Sequence, residues 1–252
     1  MATQAVSMRL ARAPEGTPRR ARVREVTGAD EMAVDGAGTA TALAMLARVA
    51  EVDGAAVSDL AASDRDRLLA VVYGMTFGDD VRSSPSCAAC GKPFDVTFSL
   101  AALMDELASR AQVVDGALAP PDARAEVAAG ELGREEGIAA LAVASGVPPY
   151  GSIEAAAAAL EREAPIVDLD LAVKCPECDH PQDVAFDLQS FLLQRFLLER
   201  RRLTGEVHTL AAAYGWSLAE ILAMPRRMRR RFIATIEEAE RRAAGMQPWA
   251  AR

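Results

Sequence analysis

Histidine is almost missing from this chain: His180 and His208 are the only two. That thins the pool of side chains for general acid–base chemistry near neutral pH. Aromatic residues make up only 5% of the sequence. No apolar run approaches the roughly 18 residues of a membrane-spanning helix. Nor does a continuous apolar stretch follow the early arginines, as a secretory leader would require. The chain has no G-x-x-x-x-G-K-[ST] and no G-x-G-x-x-G to cradle a phosphate, and neither H-E-x-x-H nor G-x-S-x-G. Positive charge is in deficit: Lys+Arg 28 against Asp+Glu 36 gives a net charge of -8. A phosphate backbone would be repelled by the chain as a whole, so nucleic-acid binding would need a local basic patch. The expected setting is a reducing cytoplasm with no membrane contact, where cysteines serve as metal ligands more often than as disulfides.

What remains is ordinary globular material, 252 residues with 51% hydrophobic and 25% charged side chains. That length allows one large domain or two small ones with a real core. Against this background the four cysteines stand out. Cys87-Ala-Ala-Cys90-Gly-Lys-Pro-Phe-Asp-Val-Thr-Phe-Ser-Leu100 aligns with Cys175-Pro-Glu-Cys178-Asp-His-Pro-Gln-Asp-Val-Ala-Phe-Asp-Leu188. Both read C-x-x-C-x-x-P-x-D-V-x-F-x-L, seven identities in fourteen positions at an offset of 88 residues. Val96, Phe98 and Leu100, and likewise Val184, Phe186 and Leu188, alternate as a strand with one buried face does. Val167 to Val173 alternates too. The second unit therefore reads as strand, cysteine knuckle, strand, and the first shares at least its knuckle and second strand.

A C-x-x-C turn presents two thiolates from one tight loop, which fills half of a tetrahedral zinc site. The expectation is one structural Zn2+ held by Cys87, Cys90, Cys175 and Cys178, in a zinc ribbon with a long insertion between its knuckles. A thioredoxin-like redox pair would sit at a helix start, whereas both pairs here run into strand-like sequence. Two ions completed by His180 or by outside ligands would leave the first knuckle short. A site closed by four cysteines has no open position, which makes such a metal structural and not catalytic.

The fold class expected is α+β, mainly helical, with a small zinc-ribbon-like β module formed by two CxxC hairpins. Residues 1–22 mix arginine, proline and glycine without periodicity and read as a flexible arm. Residues 23–82 read as a helical part: Thr27 caps a helix with Asp30 three residues on, a second helix covers Thr39 to Val49, and Ser63 to Asp66 repeats the capping pattern. Residues 83–100 and 166–189 form the composite ribbon. The 101–165 insertion is helical, with a helix from Leu100 to Val114, breaks at Pro120-Pro121 and Pro148-Pro149, and a helix from Ser152 closed by Pro165. In 190–252, a long helix from Ser190 to Tyr214 carries Leu192, Phe196, Leu203, Val207, Leu210 and Tyr214 on one stripe. Gly215 caps it, Ser217 to Glu220 forms a capping box, and Pro225 opens a last helix reaching about Ala244.

Arg226, Arg227, Arg229, Arg230 and Arg231 crowd the first turns of that last helix, against the preference of its dipole. A solvated face and a surface for an acidic partner are both open readings. Nucleic acid is a third, since the preceding short helix and turn superficially resemble a helix-turn-helix, though without interleaved aromatics. Trp216 reads as an anchor where the helices turn, and His208 as a core-edge residue.

These segments carry a family resemblance. Val23-Arg-Glu-Val-Thr-Gly-Ala-Asp-Glu31, Asp64-Arg-Asp-Arg-Leu68 with Tyr73-Gly-Met-Thr-Phe-Gly78, the two knuckles, and Glu206-Val-His-Thr-Leu-Ala occur in that order. Tyr214-Gly-Trp-Ser-Leu-Ala-Glu-Ile-Leu and Pro225-Arg-Arg-Met-Arg-Arg-Arg-Phe232 follow. The chain resembles the T4-type phage baseplate proteins of contractile-tailed phages and related contractile injection systems. The resemblance covers most of residues 23–240 and is strongest towards the carboxyl end. It implies a non-enzymatic structural or assembly (chaperone-like) role, with baseplate hub or tape-measure proteins as partners. Such a protein resides in the bacterial cytoplasm, incorporation into a phage-tail-like particle being left open. A zinc-ribbon regulator that binds nucleic acid is the alternative. The alanine-rich middle resembles the family least.

Overall fold

Ala21 and Val23 alternate with arginines along Arg20–Arg24, and this alternation drives the first sheet: the two apolar side chains are buried while Arg20 and Arg22 face solvent. The computed structural model describes residues 5–10, 20–111, 118–148 and 151–245. Strand β1 (Ala5–Arg9) pairs antiparallel with β2 (Arg20–Arg24), which pairs in turn with β3 (Ala50–Val52). The expected arm thus contributes two strands at residues 5–9 and 20–22, and the amino-terminal part is not purely helical. Strands of five residues, with β2 carrying three arginines and β1 no buried alternation, offer little apolar signal. The rest of the expected arm, residues 1–4 and 11–19, lies outside the described residues.

Helix α1 (Gly28–Ala33) starts at Thr27, whose side chain and Asp30 form the expected reciprocal capping box. Helix α2 (Thr39–Val49) matches its expected span and buries Ala42, Met45, Leu46 and Val49. After a single 3-10 turn at Val57–Asp59, α3 (Ala62–Phe77) buries Leu68, Leu69, Val72 and Tyr73. Its N-cap is Ala61, so Ser63 lies inside the first turn instead of capping it.

Two hairpins follow on either side of the insertion. Strands β4 (Asp80–Ser83) and β5 (Val96–Ser99) form the first, and β6 (Asp168–Lys174) and β7 (Pro181–Asp187) the second. Between them run α4 (Leu100–Arg110), α5 (Ala123–Gly130), α6 (Arg134–Ala144) and α7 (Ile153–Glu163). The α4 helix ends before the expected Val114; residues 112–117 and Pro149 lie outside the described residues. Helix α8 (Leu188–Tyr214) is continuous through Gly205 and ends on Gly215 in the left-handed conformation (φ 69). Helix α9 (Leu218–Leu222) opens on the Ser217/Glu220 capping box, and α10 (Arg226–Gly245) closes the described chain.

The architecture is therefore α+β and mainly helical, with small sheets. One buried cluster joins Val23 of the first sheet, Leu46 of α2, Leu69 of α3, Phe186 of β7 and Leu192 and Phe196 of α8. A second, smaller cluster of Cys87, Phe94 and Cys175 sits at the hairpin tips, with Val96 and Val173 against it. On the α8 stripe Leu192, Phe196, Leu203 and Leu210 are buried, while Tyr214 is partly exposed and stacks on Trp216 with ring centroids 4.5 Å apart. Trp216 also meets Phe232 edge-on at 5.0 Å, the expected anchor between the turning helices. His208 faces solvent.

Candidate metal centre

The sequence repeat is a structural repeat, and it extends further than the cysteine motif. Val81 pairs with Phe98 across the first hairpin, and Leu169, its equivalent at the same offset, pairs with Phe186 across the second. The Leu100 N–H donates to the Asp79 carbonyl at 3.0 Å, and the Leu188 N–H to the Val167 carbonyl at the same distance. Each hairpin then hands over to a helix through a side-chain cap: Ser99 Oγ accepts from the Ala102 N–H, and the Asp187 carboxylate from those of Gln189 and Ser190. The unit is hairpin plus helix, present twice. Sequence reading missed β4 because its four residues, Asp-Val-Arg-Ser, contain a single apolar side chain.

Both hairpin tips fold alike. The Cys87 N–H donates to the Lys92 carbonyl at 2.9 Å, and that of Cys175 to the His180 carbonyl at 3.0 Å. In return Gly91 N–H donates to the Cys87 carbonyl, and Asp179 N–H to that of Cys175, each at 2.9 Å. This return bond requires a left-handed residue, Gly91 (φ 71) in one tip and Asp179 (φ 56) in the other. Glycine adopts that conformation freely; aspartate is one of the few others that tolerates it.

The two tips face each other. Cys87 Sγ lies 3.6 Å from Cys178 Sγ, and Cys90 Sγ lies 3.8 Å from Cys175 Sγ. All four sulfurs fall within 4.8 Å of one another. The predicted ligand set therefore converges on one point, although the pairs are separated by the whole insertion. Each first cysteine (Cys87, Cys175) is buried and each second (Cys90, Cys178) exposed. Direct bonds lock the tips: Ala88 N–H donates to Gln182 Oε1 at 2.9 Å, Gln182 Nε2 to the Ser86 carbonyl at 3.3 Å, and Lys92 pairs with Glu177 at 2.7 Å. His180 contributes only backbone groups to the tip and is not among the converging ligands.

The electrostatics of the sulfurs call for a cation. Backbone N–H groups, first that of Cys90 and then that of Ala89, aim at Cys87 Sγ and draw its pKa down from 9.0 to about 6. Cys178 receives the His180 N–H, which alone would lower it. Desolvation and the sulfurs of Cys87, Cys90 and Cys175 together outweigh that bond and push it up to about 12. Four neighbouring thiols cannot all ionise against one another, but a metal ion supplies the charge that lets them. The cluster can hold a metal ion in a closed four-sulfur shell.

The arginine cluster is divided by burial. Arg226 and Arg229 are buried, so the reading of all five as a partner surface is corrected for these two. Arg229 Nη2 meets Glu31 at 2.5 Å, its Nε meets Glu206 at 3.0 Å, and its Nη1 donates to the Met224 carbonyl at 2.8 Å. Arg226 pairs with Glu31 at 3.1 Å and also with Glu199. Half-buried Arg230 reaches Glu199 at 3.2 Å. Only Arg227, 3.4 Å from Glu25, and Arg231 project into solvent. The physical reason is Glu31, which α1 places inside the angle between α8 and α10, where a buried carboxylate demands cations. Gly28 lets the elements approach so closely: a Cβ there would sit 2.9 Å from Leu222 Cδ2 and 3.0 Å from Arg229 Nη1.

No protein-family model, curated protein or solved structure matches the chain.

Proposed function

We propose that this chain is a structural or assembly (chaperone-like) protein of a contractile phage tail or contractile injection system baseplate, held together by a structural Zn2+. The observation that carries the reading is the convergence of Cys87, Cys90, Cys175 and Cys178 within 4.8 Å. A tetrahedral zinc with bonds of about 2.3 Å places its sulfurs about 3.8 Å apart along each edge. The Cys87–Cys178 and Cys90–Cys175 separations, 3.6 and 3.8 Å, have that size. With all four positions taken by protein, the ion clamps two hairpins and offers nothing to a substrate. No catalytic role is assigned to this chain.

A second observation favours the family named above. Its resemblance rests partly on the Val23–Glu31 and Pro225–Phe232 segments, at opposite ends of the chain. These meet through a Thr27–Pro225 bridge, a Gly28 N–H to Met224 carbonyl bond and the Glu31–Arg226–Arg229 network. A motif whose parts form one buried junction records how the fold closes, which is what a scaffold must keep. The regulator alternative draws on the same arginines, and it loses Arg226 and Arg229 to that junction.

The test has two arms. Metal analysis of the purified chain should give one zinc per molecule, and Cys87→Ser and Cys175→Ser should each abolish it to the same degree. A tagged chain expressed in cells producing a contractile particle should co-purify with hub or tape-measure proteins. Absence of zinc, or unequal loss between the two variants, overturns the shared site. Consistent failure to capture baseplate components, alongside a salt-sensitive gel shift with DNA or RNA, overturns the assembly role in favour of the regulator.

A further inference from the structure

Strand β6 has β7 on one side only. The Leu188 N–H to Val167 carbonyl bond and the Cys175 N–H to His180 carbonyl bond fix the phase of the ladder. Leu169, Leu171 and Val173 turn their backbone groups to β7, and Asp168, Asp170 and Ala172 turn theirs outward. Among the described residues no hydrogen bond is made to these outward groups. A row of unpaired N–H and C=O groups is a template for another strand.

The free edge is recessed beside the insertion helices, although Asp168 and Asp170 remain exposed. It forms one wall of a groove of about 670 Å³, lined along β6 by the consecutive residues Asp168 to Ala172. Consecutive residues line it because it runs along the edge of the strand. The facing wall is apolar: Leu103 and Leu107 of α4 and Leu160 of α7. The rim is acidic. Glu106 is tied to Arg110 and Glu126 to Arg65, but Glu161, Asp168 and Asp170 have no ion-pair partner among the described residues.

We infer that this groove takes an extended, basic segment of a partner protein as a third strand beside β6. Alternation sets the chemistry of the occupant. Every second side chain, on the face of Asp168 and Asp170, is lysine or arginine. The intervening ones, on the face of Leu169 and Leu171, are apolar and rest against Leu103, Leu107 and Leu160. A second copy is the rival occupant, but it would bring another chain of net charge -8 to an acidic rim. The inference rests on the β6 edge alone and stands or falls independently of the baseplate reading.

The probe is a labelled nine-residue peptide of alternating lysine and valine, titrated by fluorescence anisotropy against the zinc-loaded full chain. Two peptides serve as controls: one with glutamate for lysine, and one N-methylated at alternate residues so that one edge cannot donate. The lysine–valine peptide should bind at least ten-fold more tightly than either. Ala172→Pro removes an outward N–H without touching the β6–β7 ladder, and should weaken binding at least ten-fold with zinc content and melting unchanged. Asp168→Lys/Asp170→Lys should do the same, while Glu237→Lys/Glu238→Lys on α10, an equal change in charge, should stay within two-fold. Equal binding of the N-methylated peptide, or equal weakening by the α10 reversal, overturns the inference in favour of unspecific attraction to an acidic protein. A dimer in sedimentation that Ala172→Pro dissolves would make a second copy the occupant and overturn it as well.

Discussion

Phe98 and Phe186 occupy the same position in the two copies of the repeat and meet edge to face, with ring centroids 5.0 Å apart and planes at 88°. The pair ties the bases of the hairpins together while the cysteines gather their tips. Phe186 is almost fully buried and also packs on Phe191 of α8 at 5.4 Å. The two half-sites are therefore brought into register by apolar contact as well as by a metal. Edge-to-face pairs couple by about 0.5–1.5 kcal/mol beyond their buried area. A double-mutant cycle of Phe98→Leu and Phe186→Leu, read by urea unfolding of the metal-loaded chain, should return a coupling of that size. Strict additivity would mean that the hairpins are aligned by their tips, through the sulfur cluster and the Gln182 and Lys92–Glu177 contacts, without help from the aromatic pair.

The tips allow a cleaner comparison, because nature has placed a different residue at each left-handed position. A Cβ at Gly91 would meet nothing within 4 Å, so Gly91→Ala is expected to cost only the strain of a left-handed alanine, about 1 kcal/mol. Asp179 already bears that strain at φ 56. Asp179→Gly should therefore be neutral or stabilising, the opposite sign at the equivalent site. Melting temperatures in excess zinc provide the measurement. Destabilisation by Asp179→Gly comparable to that of Gly91→Ala would show that the Asp179 side chain has a role beyond the turn.

Much of this was legible from residue order, and the exceptions have physical causes. The cysteine pairs, the alternation of Val96 and Phe98, and the identical spacing around Cys175 point directly to matched hairpins. Thr27/Asp30 and Ser217/Glu220 signal helix starts through short-range bonds that a sequence displays. Strand β4 escaped because it is short and polar, and its stability comes from register with β5. The buried arginines escaped for a different reason. A run of arginines followed by glutamates looks like a solvated face, and nothing local to Arg229 reveals Glu31, which lies 198 residues away. Long-range charge pairing has no period.

Asp66 supplies a pH dependence of known sign. Its carboxylate accepts the Val167 N–H at 2.8 Å, joining α3 to the start of β6. Burial dominates, and with Asp187 and Glu126 nearby it outweighs the Val167 bond and Arg65, raising the pKa from 3.8 to about 6. The folded state thus holds this proton more tightly than the unfolded state does. Its stabilising contribution is complete below about pH 3.8 and is lost as pH rises through about 6. Asp66→Asn keeps an acceptor for Val167 without the buried charge. At pH 8 the variant should be more stable than the parent, by at most about 3 kcal/mol, and the gap should close near pH 4. Denaturant midpoints across that range decide it, and a variant less stable than the parent at pH 8 would refute it.

The junction of α1, α8 and α10 depends most on Arg229, which spreads its three nitrogens over Glu31, Glu206 and the Met224 carbonyl. Arg229→Met leaves two buried carboxylates short of a cation, a change that costs about 3–5 kcal/mol where one member of a buried pair is removed. Arg229→Lys should recover little of it, because a single ammonium cannot span three acceptors set in a fork. Arg231→Ala, two positions along and exposed, should stay within about 0.5 kcal/mol of the parent. Urea unfolding of the three variants separates the buried arginine from its solvated neighbour. If Arg229→Met cost no more than Arg231→Ala, the junction would be held by the Thr27–Pro225 bridge, the Gly28–Met224 bond and the Arg226–Glu31 pair without help from Arg229.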